Sequence, residues 1–414
     1  MRRILMFILL VSGSINAQND SLSCIKDSLN FIQNTSGLSA FLKATNQFKK
    51  GELPKIRVVH LGDSHVQAGF FSEPIRNDLQ LQFGNAGRGI VFPYQAAGTN
   101  GPSDYNFGSA QAWKSKRNCI NKSSLPTGIS GHTIYSKQRS ARLNFKARNR
   151  LDIGTPNRIV LYHASLADSN FSYVLSDSLG NEIAELDKNK SSDMRSEFTI
   201  LKPVSTWRVL HDTIAKTGSS STLFGVSLEN ESKGALVHTI GVNGAEYQHY
   251  LHSEFFIKQL AELEAELIII SLGTNEAYNS GLFDSLAFEL HVDSFLTKVQ
   301  TSLPNASIII TTPPGIGQAV RVSGRRKRKS YRYIENKNIP IVCSVLHKQA
   351  IKHNAAIWDF YQIMGGHDAM NIWAAKGLTD KRRIHFSRKG YLIQGSLLTK
   401  AIHNEIKQFQ QKND

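Results

Sequence analysis

Cysteine is scarce in this chain of 414 residues, with Cys24, Cys119 and Cys343 the whole supply. An odd count at wide spacing builds neither a disulfide framework nor a zinc site, and Cys343 in the apolar run IPIVCSVL reads as core. No phosphate-cradling loop, dinucleotide glycine fingerprint or metal-ligand spacing occurs, so no cofactor and no metal is expected. Once the first residues are set aside, no apolar run is long enough to cross a bilayer. Acidic side chains are outnumbered, 33 against 49 Lys and Arg, for a formal charge of +16. Such an excess favours anionic partners. Part of it is local, in GRRKRKSYR at Gly324 to Arg332, which reads as a solvated loop.

The first residues, MRRILMFILLVSGSINAQ, combine Arg2 and Arg3, an apolar run from Ile4 to Val11 and the small Ala17, the layout of a secretory signal. The mature chain is therefore expected to be exported, in the periplasm or outside the cell, and to begin near Gln18. For an exported chain nucleic acid drops out as a partner. Oligomeric state is not legible.

With 41% hydrophobic residues the chain holds ample core for about two domains. IRVVHLG is a strand that stops at Gly62-Asp63-Ser64-His65. It is followed by a helix in which Ile75, Leu79 and Phe83 share one face. From about residue 95 to 234 the pattern changes to short alternating runs, among them ARLNFKA, NRIVLYHA, FSYVLSD and STLFGVSLEN, as in a β-sandwich or jelly roll. The α/β rhythm resumes with GALVHTIG, ELIIISLG, ASIIITTP and AAIWDFYQ, separated by helical stretches. The expected fold is thus an α/β, three-layer domain with five parallel strands, formed by 18–94 and 235–414 and interrupted by an all-β insert at 95–234.

Parallel strands end at one edge, and there ligands bind. That edge collects Ser64, Gly244 and Asn275, and His385 in RRIHFSRKGY is the histidine placed to reach it. A serine hydroxyl needs a neighbouring base to become a nucleophile, and a glycine N–H and an asparagine amide are what a developing oxyanion needs. The set fits acyl transfer. No G-x-S-x-G elbow occurs, which disfavours the other common serine framework.

Gly62-Asp63-Ser64-His65, Gly244, the Gly273-Thr274-Asn275 turn and the late His385, in this order, resemble the SGNH (GDSL-like) hydrolase superfamily. The long β-rich insert and the wording GVNGA are similar to exported SGNH esterases that remove O-acetyl groups from peptidoglycan. The resemblance covers about Ile56 to Tyr94 and Gly234 to Phe409 and implies a flavodoxin-like strand order. It also implies Ser64 as nucleophile, His385 as base, and the Ser64 N–H, the Gly244 N–H and Asn275 as oxyanion hole. For the insert it implies a carbohydrate-binding-type module, for which Trp113, Trp207 and Tyr162 are aromatic candidates beside the alternative that they are core. The family's acid lies three residues before the histidine, where this chain has Arg382, which cannot accept the imidazole N–H. Asp380 is the first candidate for that role, with Asp359, Asp368 or a backbone carbonyl as alternatives. Arg88 and Gly98 to Tyr105 are candidates for the cleft wall. The expected function is a metal-free ester hydrolase acting on an O-acetylated glycan, and the basic charge would suit an acidic polymer. An O-acetyltransferase using the same site, and a catalytically inactive glycan-binding protein, are the alternatives.

Overall fold

Five runs rich in β-branched residues lie side by side as a parallel sheet: β1 (Lys55–Gly62), β2 (Gly234–Gly241), β3 (Leu267–Ser271), β4 (Ser307–Thr311) and β5 (Ala356–Trp358). The computed structural model that gives this arrangement describes residues 24–120, 123–138, 141–148, 155–166, 173–202, 205–211, 221–278, 283–322 and 330–413. The strand order is β2-β1-β3-β4-β5, the flavodoxin-like order. All residues of β2, β3 and β4 are buried, as a sheet covered on both faces requires.

Successive side chains leave a strand on opposite faces. Val59, Leu61, Ile268, Ile270 and Ile310 join one core with Phe295 and Leu296 of helix Ser285–Ser302 and Leu346 of helix Asn338–Lys352. Val58, Leu267, Ile269 and Ile309 join the other, with Phe41, Leu79 and Leu398 of helices Ser39–Lys49, Ser72–Phe83 and Arg388–Asn413. Each such buried side chain contributes about 1.5–3 kcal/mol relative to exposure, and the two covers hold the sheet, and so its carboxyl edge, in place.

Between β1 and β2 two antiparallel sheets form the all-β insert. One contains Lys114–Arg117, His132–Ser136, Ser221–Glu229, Arg158–His163, Arg195–Ile200 and Ala184–Leu186; the other contains Tyr105–Gly108, Arg142–Ala147, Thr206–His211 and Tyr173–Ser176. Their inner faces share a core that includes Phe107, Phe145, Trp207, Leu161 and Leu223. Two features go beyond the sequence reading. Gly87–Val91 pairs with Ser221–Glu229 and so adds a strand from before residue 95 to the first sheet. The stretch read as a basic loop includes part of a strand: Ser330–Glu335 pairs antiparallel with Gly317–Val322. The alternation in QAVRV and SYRYIE carried that signal beneath the charge. Residues 324–329 of the basic run and the secretory-type residues 1–17 lie outside the described residues.

Candidate active site

Strand β1 ends where a side chain no longer fits. A Cβ on Gly62 would lie 2.4 Å from Val66 Cγ2 and 2.7 Å from the Ser271 carbonyl, so the chain turns tightly against β3. Asp63 then caps the helix Ser64–Gln67, its Oδ1 accepting the His65 N–H at 2.9 Å. This cap sets Ser64 at the carboxyl edge of the sheet. β2 ends in a turn that carries Gly244 at φ +85°, a conformation that favours glycine. After β3, Gly273 at φ +118° leads into helix Thr274–Tyr278, which brings Asn275 to the same edge.

The fourth segment is a tight turn. Thr379 and Phe386 form an antiparallel bridge, and inside it the Asp380 N–H donates to the His385 carbonyl at 2.8 Å. The Arg383 N–H donates to the Asp380 carbonyl at 3.1 Å, and Arg383 closes the turn at φ +56°. Asp380 Oδ1 accepts the Ile384 N–H at 3.0 Å. Asp380 and His385 therefore sit opposite each other although five residues separate them.

Ser64 Oγ lies 2.8 Å from His385 Nε2, and His385 Nδ1 lies 3.5 Å from Asp380 Oδ2. Burial pushes the His385 imidazole below its ordinary range, Asp380 opposes that, and Arg382 adds to it. The ring is thus a free base at neutral pH. Ser64, Gly244, Asn275 and His385 line one open cleft of about 580 Å³, within the roughly 300–1,000 Å³ usual for small-molecule sites. Neither the Ser64 nor the Gly244 N–H donates to an acceptor among the described residues. The Asn275 amide is differently engaged, donating to the Ala245 carbonyl at 2.8 Å and to Asp63 Oδ2 at 3.3 Å. Burial lifts the Asp63 carboxyl to about 7.

Asp359 and Asp368 are not partners of the histidine. Asp359 bonds His347 Nε2 at 2.9 Å and the Thr312 hydroxyl at 3.0 Å, and Asp368 lies beside His367 at 3.4 Å. Arg382 points outward, its side chain 74% exposed, and lines the cleft mouth. His65 packs behind the site, its Nδ1 3.1 Å from the Tyr391 hydroxyl. Arg88 is paired with Asp104 at 2.5 Å and lines a smaller neighbouring pocket, whereas Asn100 of the Gly98 to Tyr105 run does reach the cleft. Trp207 is buried in the insert core and Trp113 is partly buried against it, while Tyr162 is buried in the core shared with Val59 and Ile268 of the parallel sheet, so Trp207 and Tyr162 offer no sugar platform. Sequence reasoning passed over Phe70, Asn243, Tyr278 and Arg388 of the cleft wall. It also passed over Gln67, buried beneath that wall, whose amide bonds the Asn243 N–H at 2.6 Å and the Asn100 carbonyl at 2.7 Å. Its place at the end of GDSHVQ, one helical turn beyond Ser64, was the available signal.

Residues 210–393 match the GDSL-like Lipase/Acylhydrolase family. That stretch contains Gly244, Asn275 and His385; Ser64 lies before it, on the far side of the insert. A comparison with curated proteins gave no match. Among solved structures the chain is similar to a peptidoglycan O-acetylesterase, with a TM-score of 0.71 at 22% identity over 90% of this chain and 97% of that one. An acetyl xylan esterase (TM-score 0.32, 17% identity, 41% of this chain and 81% of that one) and a lipase/acylhydrolase from Enterococcus faecalis (0.29, 19%, 41% and 77%) are looser likenesses. Motif order, matched segment and fold together make the chain similar to SGNH, GDSL-like hydrolases and, in architecture, to a peptidoglycan O-acetylesterase.

Proposed function

We propose that this protein is an exported serine esterase that removes O-acetyl groups from a cell-wall or other extracellular glycan. The observation that carries the reading is the 2.8 Å approach of Ser64 Oγ to His385 Nε2 in a cleft bordered by two uncommitted backbone N–H groups. His385 takes the Ser64 proton as Oγ bonds to the acetyl carbon, and the carbonyl oxygen, now an oxyanion, meets the Ser64 and Gly244 N–H groups. Asn275 joins them by turning its longer, 3.3 Å contact away from Asp63. Collapse breaks the bond to the sugar oxygen, which leaves with the proton from His385. Water, deprotonated by the same ring, then attacks the acetyl-enzyme and releases acetate. In this reading Asp380 is a positioning residue that holds the ring's Nδ1–H and steadies the imidazolium that forms.

The glycan and the exported setting are supported by the O-acetylesterase likeness, by the leader-like first residues and by a basic surface suited to an acidic polymer. No helix among the described residues is long and apolar enough to cross a membrane. The test is acetate release from O-acetylated peptidoglycan and from acetylated xylan, with 4-nitrophenyl acetate as the activated substrate. Ser64→Ala is expected to lose at least about a thousandfold in kcat while keeping its fold. Wild-type turnover in Ser64→Ala would end the proposal, and acetyl transfer to added glycan in place of acetate release would make the protein a transferase.

A further inference from the structure

The Gly244 N–H belongs to the Asn243–Gly244 peptide, and the direction it points is decided by the carbonyl on the other side of that plane. Two donors hold the Asn243 carbonyl: Arg117 Nη1 at 3.2 Å and Cys119 Sγ at 3.3 Å. Neither is part of the parallel-sheet domain. Arg117 ends the insert strand Lys114–Arg117, where it pairs with His132, and the Asn118 N–H donates to the Gly131 carbonyl just beyond. The insert thus extends a strand end to the back of the catalytic turn.

We infer that Arg117, with Cys119 beside it, is a positioning residue by which the insert sets the oxyanion hole. The peptide is trans, so its C=O and N–H point in opposite directions; anchoring the carbonyl at the insert aims the N–H at the cleft. An external anchor is needed because glycine tolerates both signs of φ, which makes a flip of this peptide sterically cheap. Flipped, the plane would present a carbonyl to the developing negative charge. The Gln67 amide holds the Asn243 N–H at 2.6 Å, one peptide earlier, and leaves the orientation of the next plane open. A guanidinium is always charged and donates along fixed directions, and its bond to the carbonyl polarises the N–H across the plane. Burial raises the Cys119 thiol above its ordinary range, so it stays an S–H donor at neutral pH.

This inference rests on the ester hydrolase reading, and the experiment separates the two. The full chain and its Arg117→Ala, Arg117→Lys, Cys119→Ala and Cys119→Ser variants are assayed with 4-nitrophenyl acetate for kcat and KM. Phosphonylation of Ser64 by a 4-nitrophenyl alkylphosphonate is timed in parallel. Removing an oxyanion donor outright costs roughly 10²–10³ in kcat; loosening its aim in Arg117→Ala is expected to cost about 10- to 100-fold. KM is expected to stay within about twofold, and phosphonylation to slow in step with kcat. Arg117→Lys, which keeps a cationic donor, recovers most of the loss, and Cys119→Ser exceeds Cys119→Ala. The inference is overturned if Arg117→Ala keeps wild-type kcat, if KM rises while kcat holds, or if the loss tracks a lowered melting temperature that Lys does not rescue. Should wild type and Ser64→Ala turn over the ester alike, it is the hydrolase reading that fails.

Discussion

Replacing Asp380 by Asn tests whether an acid five residues before the histidine can serve it. The amide keeps an oxygen for the Ile384 N–H, so the turn has what it needs to fold; what is lost is the charge 3.5 Å from His385 Nδ1. At that distance two unit charges interact by about 5 kcal/mol at an effective dielectric of 20 and about 1 kcal/mol in bulk water. The two side chains are 31% and 29% exposed, which puts the pair between these limits, at about 2–3 kcal/mol. Asp380→Asn should therefore lower kcat/KM by about 30- to 150-fold, less than the roughly 10⁴ of a fully buried acid. The pH profile adds a sign. With His385 as the proposed base, activity is expected to appear as pH rises through its pKa, and that pKa is raised by Asp380 and lowered by Arg382. Asp380→Asn should move the acidic limb of kcat/KM to lower pH, whereas Arg382→Gln should move it to higher pH. Steady-state rates on 4-nitrophenyl acetate across pH 4 to 9 decide the matter. A rate within about threefold of wild type together with unmoved limbs would reduce Asp380 to a brace of its turn.

Two further outcomes follow from buried groups near the same edge. His60, fully buried between the Ser271 and Ser72 hydroxyls at 2.9 and 2.8 Å, has its pKa pushed down by burial from 6.5 to about 3. A histidine depressed in the fold binds more protons when unfolded, so its contribution is whole above about pH 6.5 and is lost as pH falls toward 3. Urea unfolding at pH 4.5 and pH 7 should show a smaller acid-side loss in His60→Gln than in wild type, by on the order of 2–3 kcal/mol; equal losses would refute the burial argument. In Gly241→Ala the new Cβ would lie 2.3 Å from the Gln67 nitrogen and 2.6 Å from its Cα. Both are backbone, so the helix that starts at Ser64 must move, at a cost of about 1–3 kcal/mol or more. Melting temperature and kcat should fall together, and an unchanged kcat would mean that the contact is softer than drawn.

The strand ends were legible because a parallel sheet writes itself as unbroken β-branched runs, and LIIIS and SIIIT are buried throughout. Ser64, Gly244, Asn275 and His385 were legible for a related reason: in this topology position along the chain fixes position at the edge. What escaped was set by contacts distant in sequence. Arg117 and Asn243 are 126 residues apart, and Gln67 and Asn243 are 176 apart. No local period announces such pairs. The pairing of Gly317–Val322 with Ser330–Glu335 escaped because the charge of the run between them, together with Arg321 and Arg332 on the strands themselves, masked the alternation.

The placement of Asp380, the proposed acid, shows why spacing and facing have to be kept apart. Counted along the chain, Arg382 occupies the family's acid position and Asp380 lies two residues too early. In the folded turn the count loses its meaning, because the Thr379–Phe386 bridge and the Asp380 N–H to His385 carbonyl bond set residues 380 and 385 across from one another, as in a hairpin, where opposed side chains lie within mutual reach. The residues between them become the turn, and Arg382 near its tip is exposed by that geometry. A left-handed Arg383 is what closes it, at a cost of order 1 kcal/mol for a side chain that lacks glycine's freedom. The turn keeps this conformation because Arg383 is held from outside: its carbonyl accepts the Gly317 N–H at 2.7 Å and its guanidinium lies 4.4 Å over the Tyr333 ring. Both contacts come from the paired strands Gly317–Val322 and Ser330–Glu335 that flank the basic run, so these strands brace the turn that carries the histidine.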